Sequence, residues 1–338
     1  MIAALQGVTV VEVGALLPVP ATGANLRRLG ADVVKIEPPG GDPARSYAGG
    51  WLQSLYGDGK RCLELDLASA EGMGRAAALV GAADVVLVGY RPAAARRLGV
   101  DATTVTQANP TAIHCSIVGF SSGGRDADRP AHDLSFLARC GALVEPATVS
   151  AESDPAPRRP AMPVVDLAGA AVATQAVLAG LLARERTGRG EAFEVVLDDV
   201  AVAWMAPRLG PAVDPALPPA LDPANDVFRC AGGRWLALAA IEPRFWAALC
   251  DCLAEVGELE ADLRELASAD RIERRRDLRR LLTALLAARP AAHWLEALAR
   301  RGVPVEEVVD ADAVVAARGR DLGTWRRLAV PLPAGRAS

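Results

Sequence analysis

Short apolar segments alternate with helix-like segments through the first half of this 338-residue chain, and that alternation restricts the possible folds more than any other feature. Six apolar segments are predicted to be strands, at 8–13, 33–37, 63–67, 84–88, 112–118 and 193–197. Helical segments are predicted between them, at 18–29, 72–80 and 167–185. Strands separated by helices of this length build βαβ units around a parallel sheet. The sequence therefore predicts an α/β layer fold.

The second half of the chain has a different organisation. Residues 207–223 contain six prolines and little periodicity, which is typical of a linker. After them, 227–240 is predicted to form a hairpin that turns at Gly232 and Gly233, and helices are predicted at 243–256, 271–286 and 291–301. The predicted organisation is a large α/β domain at 1–206 and 311–338, a linker at 207–224 and a small α+β domain at 225–310.

Composition excludes several classes of function. The 37 basic and 41 acidic residues give a net charge of −4, and this mild acidity argues against nucleic-acid binding. The six cysteines lack the paired spacing of a zinc site, so we predict reduced, mostly buried thiols and no metal. The N-terminal segment has no basic region or cleavage pattern, and no charge-free run of about 18 apolar residues occurs. These features predict a cytoplasmic protein that does not contact a membrane.

Several motifs, in a fixed order, resemble the family III CoA-transferase and α-methylacyl-CoA racemase superfamily along nearly the whole chain. In the large domain they are LQGVTVVE from Leu5, LGADVVKIEP from Leu29, GDP at 41–43, GKR at 59–61, LDL at 65–67, ADVVLVGYRP from Ala83, AHDL from Ala131 and RERTGRG from Arg184. Two later stretches, AIEP from Ala240 and GVP from Gly302, also match. Each stretch is weak by itself, but their common order is specific.

This resemblance implies a fold and a ligand. The implied fold is a discontinuous Rossmann-like large domain with a smaller domain, in two interlocked chains, so a homodimer is expected. The implied substrate is an acyl-CoA thioester, with no cofactor beyond CoA itself. Arg97 is expected to meet a phosphate and Tyr90 to line the adenine pocket, although a run of arginines is also typical of a solvated helix face. By position, the CoA contacts fall on Leu16, Leu17, Pro18, Leu65, Tyr90 and Arg97, with Arg91 and Lys60 as further cations on that edge.

The resemblance also places the catalytic groups. In the transferase branch an aspartate attacks the thioester and then carries CoA, whereas in the racemase branch a histidine and an aspartate exchange the proton of the α-carbon. Asp166 occupies the shared aspartate position. His132 stands where racemases have histidine and transferases an aromatic residue such as tyrosine. Glu242 resembles the racemase glutamate that orients the histidine. Backbone N–H groups at the start of the helix after Asp166 are expected to stabilise an enolate oxygen.

Each candidate also has a simpler structural role. Aspartate is a favoured helix N-cap, which alone would explain Asp166. Glu242 precedes Pro243, a common pattern at the start of a helix. A histidine without context is structural more often than catalytic, and we assign His114 and His293 to structure. The presence of both His132 and Glu242 favours the catalytic interpretation.

The leading hypothesis is an acyl-CoA racemase or epimerase that acts on a 2-methyl-branched acyl-CoA. The alternative is a CoA-transferase with Asp166 as its nucleophile. A third hypothesis, a non-catalytic CoA-binding protein, is based on departures from the family pattern. Val165 replaces a glycine, Pro38 a basic residue, and Pro130 with Ala131 stand where the family has a lysine.

Overall fold

The computed structural model describes residues 4–143, 157–214, 222–260 and 262–320. Its first compact unit contains Met1–Ala142 and Arg159–Trp204, and its second contains Met205–Gly319. The sequence prediction placed the return of the chain to the large domain at 311, whereas in the structure the first unit resumes at Arg320. The predicted loop at 144–163 falls mostly outside the described residues, as does the segment beyond 320.

A six-stranded parallel sheet forms the centre of the first unit. The strands are β1 (Thr9–Val13), β2 (Asp32–Glu37), β3 (Arg61–Glu64), β4 (Val85–Val88), β5 (Ile113–Val118) and β6 (Ala192–Val196). They lie in the order β3-β2-β1-β4-β5-β6, and every neighbouring pair is parallel. All four residues of β4 are buried, as expected for a strand covered on both faces. The predicted α/β class is confirmed.

Helices separate or follow these strands along the chain. They are α1 (Pro18–Arg28), α2 (Trp51–Tyr56), α3 (Ala70–Gly81), α4 (Pro92–Arg97), α5 (Ala102–Ala108), α6 (Asp133–Arg139), α7 (Val164–Thr187) and α8 (Leu197–Val213). Two sequence predictions are wrong here. The third strand ends at Glu64 rather than 67, because Asp66 accepts the N–H of Ala68 at 2.9 Å and turns the chain. The predicted linker is helical as far as Val213, so Pro207 and its apolar neighbours continue α8. Residues 215–221 of that linker lie outside the described part.

Helix α7 is the central helix of the first unit. It packs against α1, β5 and β6, and its buried face consists mainly of small residues. Among the described residues it is also the one helix long and apolar enough to cross a membrane by length and composition. Its packing against the sheet accounts for the same apolarity, because a core helix needs apolar side chains on more than one face.

The second unit has its own sheet and core. Its antiparallel sheet has the order β7-β8-β9, with β7 (Asn225–Arg229), β8 (Trp235–Ala239) and β9 (Val305–Glu307). The predicted hairpin is confirmed, and its two turn glycines have φ values of 77° and 82°. Trp246 and Trp294 are fully buried in the core, and their indole N–H groups donate to Leu263 and Leu286 carbonyls. The helices are α9 (Pro243–Leu253), α10 (Ser268–Glu273), α11 (Arg275–Leu286), α12 (Ala291–Ala299) and α13 (Ala311–Arg318).

All six cysteines are free thiols, and five of them are buried. This agrees with the expectation of reduced, mostly buried cysteines.

Candidate active site

The predicted CoA contacts lie along one edge of the parallel sheet. Leu16, Leu17 and Pro18 follow the carboxyl end of β1, Leu65 follows β3, and Tyr90 follows β4. The strand order reverses between β1 and β4. From β1 the sheet is built outward to β2 and β3 on one side, and from β4 it is built outward to β5 and β6 on the other. Open α/β sheets bind ligands at the carboxyl ends of the strands, at such a reversal. The fold therefore puts these residues where a nucleotide-like ligand is expected.

The loop after β1 is joined to the start of α7. Leu17 is the N-cap residue of α1, and it packs with Ala21 and Ala170 in a buried cluster that Leu167 also contacts. Further along, the side-chain amide of Asn25 donates to the Thr174 hydroxyl at 3.2 Å. Helices α1 and α7 thus run side by side, and the loop at 16–18 lies beside the first turn of α7.

Asp166 lies in that first turn of α7 and is half-buried. Burial, reinforced by the negative charge of Asp133, raises the pKa of Asp166 from an ordinary 3.8 to about 7. A carboxyl group with a pKa near neutrality exists in both protonation states under physiological conditions. It can therefore donate or accept a proton without a large free-energy cost.

Asp133 is the site residue that sequence reasoning missed. Its Oδ1 accepts the backbone N–H of Val165 at 2.7 Å and that of Asp166 at 3.2 Å. Asp133 thus satisfies donors at the start of α7, where a negative charge is favoured. In the sequence it is simply the third residue of the AHDL stretch, beside His132. Sequence gives no sign that a carboxylate more than thirty positions upstream meets this helix.

His132 is the N-cap residue of α6, and its side chain is exposed. Its backbone N–H donates to the Ser135 hydroxyl at 3.3 Å. Beneath it, Phe136 is buried and packs edge-to-face on Phe120, with ring centroids 5.7 Å apart. The imidazole therefore lies at the surface, while the backbone that carries it is fixed by capping and by aromatic packing.

The loop that leads to His132 is fastened to the neighbouring strand connection. Arg91 donates through Nη1 to the Asp128 carbonyl at 2.7 Å, and the Asp128 carboxylate accepts the Ala93 N–H at 3.1 Å. Arg91 was predicted to help bind CoA, but this contact commits part of its guanidinium to the loop. Arg97 ends α4 with an exposed side chain, and Tyr90 is half-buried.

One mechanistic expectation needs correction. The backbone N–H groups at the start of α7 were expected to stabilise an enolate oxygen. Those of Val165 and Asp166 already donate to Asp133, and that of Leu167 donates to the Pro163 carbonyl at 3.2 Å. These three donors are not available to a substrate in this arrangement.

Glu242 belongs to the second unit, where it is the N-cap residue of α9 and is exposed. Its predicted pairing with His132 stays a prediction. In the described ranges, no group of three or more His, Cys, Asp or Glu side chains is arranged to hold a metal ion. A pocket of about 440 Å³ opens at the amino ends of β1 and β2, and no predicted site residue lines it.

The fold and the site together define a class of α/β protein with a carboxyl group of raised pKa beside the strand reversal of its parallel sheet. Residues 5–332 match the family described as CoA-transferase family III. The chain belongs to this family, and it is an enzyme that acts on acyl-CoA thioesters.

Curated relatives include both branches of the superfamily. The chain is 31% identical over 320 residues to the acetyl-CoA:oxalate CoA-transferase of Acetobacter aceti, covering 90% of this chain and 80% of that protein. It is 28% identical over 303 residues to the α-methylacyl-CoA racemase of Mus musculus, covering 86% and 74%. The resemblance to the superfamily is confirmed, but these matches do not separate the two branches.

Solved structures share the fold over almost the whole chain. The crystal structure of Rv3272 from Mycobacterium tuberculosis superposes with a TM-score of 0.79 at 28% identity, covering 92% of this chain and 84% of that one. A CAIB/BAIF family protein from Brucella suis gives a TM-score of 0.76 at 25% identity, covering 94% and 89%.

Proposed function

We propose that this protein is an acyl-CoA racemase or epimerase that exchanges the α-proton of a 2-methyl-branched acyl-CoA thioester. The observation that carries the proposal is the pair of bonds from Asp133 to the first turn of α7. These bonds join the segment of His132 directly to that of Asp166. Two acid–base groups are thereby presented from adjoining segments at the ligand edge of one sheet, as two-sided proton exchange requires.

The reaction needs a base on one face of the α-carbon and an acid on the other. The thioester carbonyl acidifies the α-proton, and the neutral imidazole of His132 removes it to leave an enolate. The protonated carboxyl group of Asp166 then returns a proton to the opposite face, which inverts the centre. The reverse direction exchanges the two roles. A pKa of about 7 for Asp166 supports this assignment, because both protonation states must be accessible.

Deuterium exchange tests the proposal directly. A 2-methylacyl-CoA incubated with enzyme in D₂O is expected to gain one deuterium at the α-carbon, measured by mass spectrometry and NMR. His132→Ala and Asp166→Asn are each expected to slow the exchange by about 100-fold or more. His293→Gln, a histidine of the second unit outside the proposed site, is the matched control and should exchange at the wild-type rate. Full exchange by His132→Ala would refute the assignment.

A second candidate, a CoA-transferase, is favoured by the relatives, since the acetyl-CoA:oxalate CoA-transferase aligns with 90% of this chain. In that reaction the Asp166 carboxylate attacks the thioester carbonyl, releasing CoA thiolate and leaving a mixed anhydride. The thiolate then attacks the aspartyl carbonyl, which expels the acyl group as its carboxylate and leaves CoA on Asp166. Hydroxylamine trapping or intact mass spectrometry would detect this aspartyl thioester. Its formation at a rate compatible with turnover would replace the racemase proposal.

A further inference from the structure

Leu16 has a backbone conformation that its side chain disfavours. Its φ is 66°, and it is the one non-glycine residue with positive φ in the described part of the chain. A Cβ atom in the left-handed region crowds the following carbonyl group, so residues other than glycine, asparagine and aspartate rarely adopt it. Leu16 opens the loop that precedes α1 at the ligand edge. Another part of the protein must therefore hold this conformation.

Asp42 makes the contact that holds it. Its Oδ1 accepts the Leu16 N–H at 3.2 Å and the Ala44 N–H at 2.8 Å. Asp42 is buried, and it is the N-cap of the short turn Pro43–Arg45. One carboxylate oxygen thus connects the loop after β2 with the loop after β1.

A buried ion network fixes Asp42 in turn. The Lys35 ammonium group is bonded to Asp42 Oδ2 and lies 3.7 Å from both Glu12 Oε1 and Glu37 Oε1. Although burial opposes it, bonding to Lys35 and to two backbone N–H groups holds the pKa of Asp42 below its ordinary value. Asp42 is therefore a charged, oriented acceptor at neutral pH.

The ion network continues along α1 to Lys60, the residue that directly precedes β3. Lys60 Nζ lies 2.5 Å from Glu12 Oε2 and donates to the Pro20 carbonyl at 2.8 Å. Gly23 leaves the space for this pair, because a Cβ there would lie 2.0 Å from Glu12 Oε2. Lys60 was suggested as a helper for CoA, but its side chain is fully buried and committed to Glu12.

We propose that Asp42 is a positioning residue, which keeps the loop of Leu16, Leu17 and Pro18 in the conformation that binds the CoA moiety of the substrate. This inference rests on the CoA-binding role of that loop, which is part of the proposed function. It adds that the loop is preformed by the buried network rather than by the ligand. If only a small fraction of the protein held this loop in its binding conformation, the apparent affinity for CoA would fall in proportion to that fraction.

The first test separates binding from chemistry. Asp42→Ala removes the acceptor of the Leu16 N–H, so the KM for acyl-CoA and the Kd for free CoA should both rise about tenfold. The kcat should change less than about twofold, because His132 and Asp166 are untouched. Asp101→Ala is the matched control. Asp101 is the N-cap of helix α5 in the same unit, where it accepts two backbone N–H groups, and its replacement should leave the KM unchanged.

The second test is rescue by glycine. Glycine adopts positive φ as readily as negative φ, so Leu16→Gly added to Asp42→Ala should recover a large part of the lost CoA affinity. A merely structural role of Asp42 would not be rescued by a change at Leu16. If Asp42→Ala folds poorly because Lys35 has lost its nearest partner, Lys35→Met combined with Asp42→Ala removes that cation. Glu12 then keeps its pair with Lys60 and Glu37 its pair with Arg45, and the same shifts are expected.

The outcomes separate this inference from the proposed reaction. Wild-type CoA affinity in Asp42→Ala, or no rescue by Leu16→Gly, overturns the positioning role even if α-proton exchange is observed. Tight CoA binding with no exchange in the wild type would sink the racemase proposal and leave the positioning role standing. A wild-type protein that does not bind free CoA, measured by titration calorimetry, would overturn both.

Discussion

Two neighbouring carboxyl groups, those of Asp133 and Asp166, meet at the first turn of α7. Asp133 is bonded to the N–H groups that begin α7, whereas Asp166 lies in the first turn of that helix without such a bond to its own carboxylate. Burial and the charge of Asp133 both disfavour ionised Asp166. Asp133 thus acts on α7 through two backbone N–H groups and on Asp166 through its charge.

Asp133→Asn should lower the pKa of Asp166. The amide oxygen of asparagine can still accept the two N–H groups, so the start of α7 keeps its cap, but the negative charge is removed. The pKa of Asp166 is then expected to fall below about 7 and stay above 3.8, because burial is its larger cause. The pH dependence of α-proton exchange, or NMR titration of the carboxyl carbon, measures the shift. An unchanged or raised pKa would contradict the expected charge coupling.

Asp166→Asn should change the dependence of stability on pH. The pKa of Asp166 is raised in the folded state, to about 7 from 3.8, so between these values the folded protein binds more protons than the unfolded chain. Its contribution to stability is therefore present at low pH and lost as pH rises towards 7. The neutral amide avoids this loss and should be more stable than the wild type by up to about 4 kcal/mol at pH 8.

Urea unfolding at pH 5 and pH 8 measures that difference. The gain in the free energy of unfolding from Asp166→Asn should be larger at pH 8 than at pH 5. Asp101→Asn is the control: the pKa of Asp101 is lowered, so its contribution to stability is complete at both pH values and the variant should show no such difference. If Asp166→Asn changed the free energy of unfolding by the same amount at both pH values, the buried carboxyl group would carry no such penalty.

At the scale of the elements, the small residues of α7 decide how closely it approaches the sheet. A Cβ on Gly180 would lie 2.7 Å from the Phe193 ring and 3.1 Å from Ile113, side chains of β6 and β5. Gly74, in the middle of α3, has no atom within 4 Å of such a Cβ and is exposed. Both glycines lie inside helices, so they form a matched pair that differs only in packing.

Gly180→Ala is expected to destabilise the protein, and Gly74→Ala to stabilise it slightly. The first change overpacks the α7–sheet contact and should lower the free energy of unfolding by about 1–3 kcal/mol. The second replaces a helix-interior glycine without a clash and should raise it by up to about 1 kcal/mol. Urea titration monitored by circular dichroism measures both. Equal effects would mean that helix propensity, and not close packing, determines the role of Gly180.

Local sequence patterns predicted the elements better than the contacts between them. The strands at 85–88 and 113–118 are recognisable because both faces are buried, which produces uninterrupted apolar runs. The predicted linker at 207–224 is wrong in its first part. The helix formers beside Pro207 outweigh the prolines there, and the helix continues to Val213. The φ of Leu16 had no local signal, since leucine is not a residue that favours the left-handed region. The bonds of Asp133 and Asp42 to other loops depend on tertiary structure alone.

At the scale of the whole molecule, each compact unit has its own means of burying charge. In the second unit, Arg271 is fully buried and is bonded to Asp222, with Nε 2.9 Å from Oδ2, and to the Ile241 carbonyl. Its guanidinium also lies over the Trp246 ring, 5.0 Å from the centroid. Arg271 thereby ties the segment before β7, the segment before α9 and the aromatic core of that unit together.

Removing one partner of this buried pair should destabilise the second unit more than any surface ion pair would. Arg271→Met leaves the Asp222 carboxylate buried without its cation, a loss of about 3–5 kcal/mol. Arg280→Met breaks the exposed pair with Asp277, whose side chains are 73% and 79% accessible, and should cost less than about 1 kcal/mol.

Hydrogen exchange measured by mass spectrometry locates the effect. The contacts of Arg271 described above all lie within the second unit. Arg271→Met should therefore speed amide exchange first in β7, β8 and α9. Strands β1, β4 and β5 of the first unit should be affected later. Restoring neutrality with Asp222→Leu in the same chain should recover much of the lost protection, since a well-packed apolar pair can replace a buried ion pair. Uniform loss of protection across both sheets would show instead that the two units unfold as one cooperative body.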